Sequence, residues 1–122
     1  IKVIDTRLKA DFAQGFIPGS INIQGNNSFA TWMGWFLTYE EPFILLAEES
    51  QLDDLTRKLM RIGMDNIYGY VDSVNVWTSM GNSLEKANVI ALDEFQNILK
   101  TNHTQIVDLR GAAEFRSGHV QG

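Results

Sequence analysis

The sequence predicts an α/β fold, with a central, mostly parallel sheet flanked by helices on both faces. Three observations carry that expectation. The run Phe43-Ile44-Leu45-Leu46-Ala47 is short and wholly apolar, as in a strand buried on both faces of a parallel sheet. An amphipathic helical stretch and a second strand-like run follow it, which makes a βαβ unit with a right-handed crossover. The chain also repeats its own opening about one domain length later.

The elements follow in order. Val3-Ile4 reads as the end of a buried strand, with Asp5 at its exit and Arg7 two residues on. Leu8 to Gln14 can form a short helix carrying Asp11 and Phe12. Arg7 stands four residues before Asp11, which predicts an ion pair between them. Gly15 and Pro18-Gly19 are turn residues, and Ser20 to Ile23 alternates like a strand. Between residues 28 and 37, Phe29, Trp32, Met33 and Phe36 fall on one helix face. That stripe suits core packing, and the tryptophans also suit an interface with a neighbouring domain. Phe29, Trp32 and Trp35 are the interface candidates, and Trp35, lying off the stripe, is the best of them.

Ser50 is the expected N-cap of the next helix, with Asp53 three residues later. Leu52, Leu55, Leu59 and Ile62 form its buried stripe. Acidic residues crowd its start and basic ones its end, matching the helix dipole. Gly63 suits the position just past its end. Asn66 to Val71 reads as a strand. Residues 82–87 are polar and read as a linker between a first domain at 1–81 and a second at 88–122. In that second part Val89-Ile90 and Ile106-Val107-Asp108 read as strands, with a helix through Leu92, Phe95, Ile98 and Leu99 between them.

Composition narrows the function. A formal net charge of −5 argues against nucleic acid or an anionic membrane as partner, since both need a positive footprint. No apolar run is long enough for a membrane span, and a cytoplasmic location is expected. The 122 residues contain no cysteine, so disulfides, thiolate metal sites and cysteine nucleophiles are all excluded. With only His103 and His119 available, no metal site and no cofactor are expected. Ser50 beside Glu48 or Glu49 is the one nucleophile-like cluster, and the capping role competes with it. Asp5 and Asp11 could be paired carboxylates, but Arg7 between them favours a structural salt bridge.

The internal repeat sets Val3–Gly19 against Ile106–Gly122 at an offset of 103 residues without gaps. Asp5, Arg7, Asp11 and Gly19 meet Asp108, Arg110, Glu114 and Gly122. Tandem domains are the expected organisation. The first strand of domain one is expected to lie before Ile1, and the second domain to be cut short. Its residues should pack on the first domain or be completed by a second chain, so a homo-oligomer is one expected state.

The repeated block, Ile4-Asp5-Thr6-Arg7, then Asp11-Phe12, then Gly15-Phe16-Ile17-Pro18-Gly19-Ser20, resembles the first signature of rhodanese domains. Val107 to Arg110, Glu114-Phe115 and Gly118-His119-Val120 resemble it again. Tyr68 and Trp77 fall where that family has its late strand and tryptophan. Residues 26–37, 42–54 and 57–70 further resemble the middle domain of bacterial fusions that place a metallo-β-lactamase-fold domain, related to persulfide dioxygenases, before rhodanese domains. The resemblance implies a rhodanese-like fold. It also implies a parent enzyme that handles sulfane sulfur, whose neighbouring domains are this module's partners.

Departures from the family pattern imply inactivity. The family's cysteine position falls on or next to Ala47, in the segment Ala47-Glu48-Glu49-Ser50-Gln51. Sulfur transfer needs a thiolate to carry the sulfur as a persulfide. It also needs a positive cradle for an anionic donor, and Glu48, Glu49, Asp53 and Asp54 bring negative charge there instead. Phe16 replaces the usual histidine, and Asp72-Ser73-Val74 replaces a glycine-rich turn. The expectation is a structural or docking module. The alternative is a regulatory module using the old pocket for a cationic or neutral ligand.

Overall fold

In a computed structural model, residues 1–100 and 105–120 are described; His103 and Gly122 lie outside them. The chain divides into two compact units, Ile1–Asn88 and Val89–Gly122.

The first unit is built on a four-stranded, wholly parallel sheet in the order β2-β1-β3-β4. Its strands are β1 (Lys2–Asp5), β2 (Ile21–Asn22), β3 (Phe43–Leu46) and β4 (Ile67–Val71). Between them run α1 (Lys9–Gln14), α2 (Phe29–Phe36) and α3 (Glu49–Arg61), and α4 (Asn75–Ser79) follows. β3-α3-β4 is the expected βαβ unit. Its apolar run is central because β3 is hydrogen-bonded on both edges, to β1 and β4. Parallel strands buried in this way need apolar side chains on both faces, and Phe43, Leu45, Leu46 and Ala47 are all buried.

The core lies where α2 and α3, packed on each other, cover the sheet. Phe29 and Met33 of α2 meet Leu55 and Leu59 of α3 in one cluster with Ile4, Phe43 and Leu45. The predicted α2 stripe therefore splits. Phe29 and Met33 are fully buried, whereas Trp32 and Phe36 are half exposed and stack on each other at 6.2 Å. Phe29 is thereby corrected from interface candidate to core residue, because its ring fills the space under the sheet. Trp35 is 80% exposed, where an interface residue has to be.

Helix α3 ends as its sequence dictates. Gly63 takes φ +77°, the Met64 N–H donates to the Leu59 carbonyl at 2.9 Å, and the Gly63 N–H donates to Met60 at 3.0 Å. Both bonds of a Schellman motif are present. The start differs from expectation. Glu48 is the N-cap, with no side-chain capping bond, and Ser50 lies inside the first turn. The chain leaves β3 so tightly that only Ala47 and Glu48 separate strand from helix, and this pulls the helix start ahead of Ser50.

Residues 82–87 are tied to the first unit. Phe16 and Glu85 form an antiparallel bridge with bonds of 2.8 and 2.9 Å, and the Ala87 N–H donates to Ala13. The Trp77 indole donates to the Ser83 carbonyl at 3.0 Å. The units divide after Asn88, beyond the polar segment read as a linker.

The second unit holds α5 (Leu92–Leu99) and α6 (Ala112–Ser117). Strands were expected at Val89-Ile90 and Ile106-Val107-Asp108, yet no strand forms among its described residues. A strand exists only through its ladder, and among the described residues neither segment pairs with another. No described residue of this unit is buried, and Leu109 is 91% exposed.

Candidate functional site

Sheet order locates the site. The chain steps from β1 to β2 on one side, then crosses to β3 on the other. In open α/β sheets, such a reversal leaves a crevice beyond the carboxyl ends of the strands. A cleft of about 680 Å³ opens there. The segments after all four strands line it: Thr6 and Arg7 after β1, Gln24 and Asn26 after β2, Glu48 after β3 and Val74 after β4.

Asp5 and Arg7 form its frame. The Arg7 backbone N–H and Nε each donate to Asp5 Oδ1 at 3.0 Å, and Nη2 donates to Oδ2 at 2.7 Å. Nη2 also donates to the Gly15 carbonyl at 2.7 Å, which ties the end of α1 to the end of β1. Asp5 is fully buried, so a paired, bidentate geometry is what makes its charge tolerable. The predicted Arg7–Asp11 ion pair does not form. Leu8 is extended, with φ −58° and ψ 146°, so Arg7 lies before the helix and the i,i+4 rule does not apply to it. Asp11 lines the cleft instead. Asp5 and Asp11 are therefore not a carboxylate pair, because Asp5 is spent on Arg7.

The copy in the second unit repeats this geometry. Arg110 donates to Asp108 through its backbone N–H and Nε at 3.0 Å and through Nη2 at 2.8 Å. Nη2 also reaches the Gly118 carbonyl at 2.8 Å. Phe12 stacks on Phe16 at 4.4 Å, and Phe115 stacks on His119 at 3.8 Å. Phe16 thus fills the histidine's position and keeps its ring contact while losing its nitrogens. Glu114, the partner of Asp11, accepts from the Gly111 N–H at 3.2 Å. Gly19 takes φ +80° in a turn closed by the Ser20 N–H to the Ile17 carbonyl at 3.0 Å.

The segment expected at the family's cysteine position, residues 47–51, is distributed unevenly. Ala47 is 1% exposed, belongs to the hydrophobic core, and donates its N–H to the Val71 carbonyl at 3.0 Å. Glu48 and Gln51 line the cleft, whereas Glu49 and Ser50 lie exposed on the first turn of α3. Negative charge at the cleft comes from Glu48 and Asp11. Asp54, expected to contribute, is paired with Lys58 at 3.0 Å. Arg7 is the one cation among the lining residues; its Nε and Nη2 donate to Asp5 and Gly15, and its charge is paired with the buried Asp5 carboxylate. The cleft therefore offers no thiol, and its two carboxylates, Asp11 and Glu48, outnumber its one cation.

Sequence reasoning missed Thr6, which is buried beneath the cleft and donates Oγ1 to the Leu46 carbonyl at 2.9 Å. It missed Gln24, Gly25 and Asn26 as well. Gly25 passes so close to α3 that a Cβ there would meet the Leu55 side chain at 3.2 Å. The strand-exit position of all four was the available signal.

The family model for the rhodanese-like domain matches residues 1–80. Among solved structures, a rhodanese-like domain from Anabaena sp. superposes with a TM-score of 0.65 at 14% identity, covering 75% of this chain and 97% of that one. A metallo-β-lactamase from Staphylococcus aureus matches at 33% identity and TM-score 0.53 over 57% of this chain, but over only 20% of its own length. A thiosulfate sulfurtransferase from Pseudomonas aeruginosa gives TM-score 0.55 at 19% identity, covering 94% of this chain and 25% of that one. No curated protein matches. Sheet order, strand-end cleft and family match agree: the chain belongs to the rhodanese-like domain family, in a version without the family's cysteine.

Proposed function

We propose that this chain is a non-catalytic rhodanese-homology module with a structural or docking role in a multidomain enzyme of sulfane-sulfur metabolism. The observation that carries this reading is the cleft itself. The cleft lies at the strand ends, but Ala47 is buried in the core and Glu48 is among the residues that line the cleft. A thiolate is indispensable to persulfide transfer, and the chain has none. The likeness to part of the Staphylococcus metallo-β-lactamase supports a parent of the fused type, with a metallo-β-lactamase-fold domain and rhodanese domains in one chain. In that setting the parent is a persulfide dioxygenase or sulfurtransferase, and the module's partners are its neighbouring domains. No cofactor is assigned to the module. A cytoplasmic site of action belongs to the same reading; among the described residues, no helix is long and apolar enough to cross a membrane.

A thiosulfate:cyanide sulfurtransferase assay on the chain tests inactivity. Only the uncatalysed rate is expected, and turnover above it would sink the proposal. Mixing the chain with its separately expressed flanking domains tests docking, and Trp35→Ala is expected to weaken any complex. Sedimentation tests whether two copies associate. A second reading, a regulatory module for a cationic or neutral ligand, is favoured by one observation: both free charges of the cleft are carboxylates.

A further inference from the structure

Helix α2 carries a surface that the core does not use. No side chain from Gly25 to Tyr39 is charged, in a chain of which 20% of residues are. Phe29 and Met33 point inward and are fully buried. Thr31, Trp32, Gly34, Trp35 and Phe36 face solvent. Spacings of three and four residues make them neighbours on the helix surface. Trp32 and Phe36, half exposed, hold each other by stacking, and Trp35 stands out beside them. On the Trp32 side, a cavity of about 300 Å³ lined by Lys9, Gln24 and Asn26 gives this face a polar rim. Aromatic enrichment with charge depletion, inside a polar rim, is what sets an interface core apart from ordinary surface. Gly34 is a second, independent sign. Glycine inside a helix costs stability relative to alanine. A Cβ on Gly34 would meet nothing within 4 Å, so packing inside the chain does not call for glycine there. A close approach from outside does, because the absent Cβ leaves a recess beside Trp35.

We infer that the outer face of α2 is where two copies of this chain associate, with their α2 helices antiparallel across a two-fold axis and each Trp35 ring seated over the partner's Gly34. A two-fold contact needs a patch that complements itself, and a ring beside a recess on one short helix is such a patch. Charge selects the same occupant. Copies of net charge −5 repel each other, least so where the facing surfaces carry no charge. The area suffices as well. The exposed parts of Trp32, Trp35 and Phe36 amount to about 400 Å² on each copy. With Thr31 and Gly34, a symmetric pair buries about 1,000 Å², the size at which a contact between proteins becomes specific. This inference goes beyond the docking reading, whose partners are neighbouring domains, and self-association alone decides it.

The test is analytical ultracentrifugation of the 122-residue chain from micromolar to millimolar concentration. A reversible monomer–dimer equilibrium is expected, with no larger species, because a two-fold contact closes on itself. Trp35→Ala should weaken it roughly tenfold, as for a central aromatic anchor. The side chain is exposed, so the fold survives its loss, and circular dichroism checks this. Gly34→Ala should weaken the dimer severalfold while raising the urea midpoint of the dilute, monomeric chain, since alanine is the better helix former. A variant that stabilises the monomer and loosens the dimer cannot be acting through misfolding. Leu109→Ser, at an exposed position of the second unit, should leave the association as it is. A chain that stays monomeric throughout would overturn the inference. So would a dimer indifferent to Trp35→Ala, a dimer as tight with Gly34→Ala as without it, or one abolished by Leu109→Ser.

Discussion

The Asp–Arg pair occurs twice in this chain in nearly identical geometry, and only one copy is buried. Asp5 is inaccessible, whereas Asp108 keeps 23% of its side chain exposed and Arg110 46%. Removing one partner of a buried pair strands the other charge. Arg7→Ala is therefore expected to destabilise the first unit by about 3–5 kcal/mol, read from urea denaturation. Arg110→Ala should leave that transition unchanged. The Arg110 guanidinium and then its backbone N–H hold the Asp108 carboxyl well below its ordinary 3.8, at about 2. A carboxylate whose folded pKa is depressed contributes while it is ionised. Its contribution is complete above the ordinary value and is lost as pH falls through about 2. A ¹³C titration of the Asp108 carboxyl is expected to show a midpoint near 2, and a midpoint near 4 would mean the clamp is open in solution. The pairing partner of Arg7 was not legible from spacing, because the i,i+4 argument presumes a helix that begins only after the extended Leu8.

At the scale of elements, β3 and α3 were legible and their junction was not. An apolar run and an amphipathic stripe announce themselves by period. The two-residue connection through Ala47 and Glu48 is set by how α3 must lie on the sheet to bury Leu55 and Leu59. That junction decides whether chemistry could be restored. Ala47→Cys would place the thiol at a buried position of the core cluster, where apolar surroundings keep it protonated and inert. The variant is expected neither to react with a thiol reagent in the native state nor to transfer sulfur from thiosulfate. Glu48→Cys, at an exposed position lining the cleft, should react with the reagent and still not transfer sulfur, because Asp11 remains in the cleft and Arg7 stays committed to Asp5. Appreciable turnover by either variant would show that only the nucleophile is missing.

At the scale of the whole molecule, the chain is unevenly built. The first unit has a continuous core, and the second has no buried residue among those described. Amide hydrogen exchange should reflect this, with strong protection across β1, β3 and α3 and weak protection from Val89 onward. Comparable protection in both units would mean that the second finds a covering surface in solution. The repeat predicts tandem organisation, since a spacing of 103 residues between paired signatures is the length of a domain and too long for a solenoid repeat. The failure of the Val107 strand to form was not legible. A pattern of apolar residues shows what a segment can do in a sheet, and says nothing of whether neighbours are present to pair with it.

The doubled clamp also bears on the order in which such a domain assembles. Its bonds span at most eight residues, from Arg7 to Gly15 and from Arg110 to Gly118. The bond that joins β1 to β3 through Thr6 and Leu46 spans forty. Short loops close fastest, because little chain entropy is lost in bringing their ends together. A nascent chain emerging from the ribosome can thus set the clamp before β3 has been synthesised. The turn that frames the future cleft is then already folded when the strand that completes it arrives.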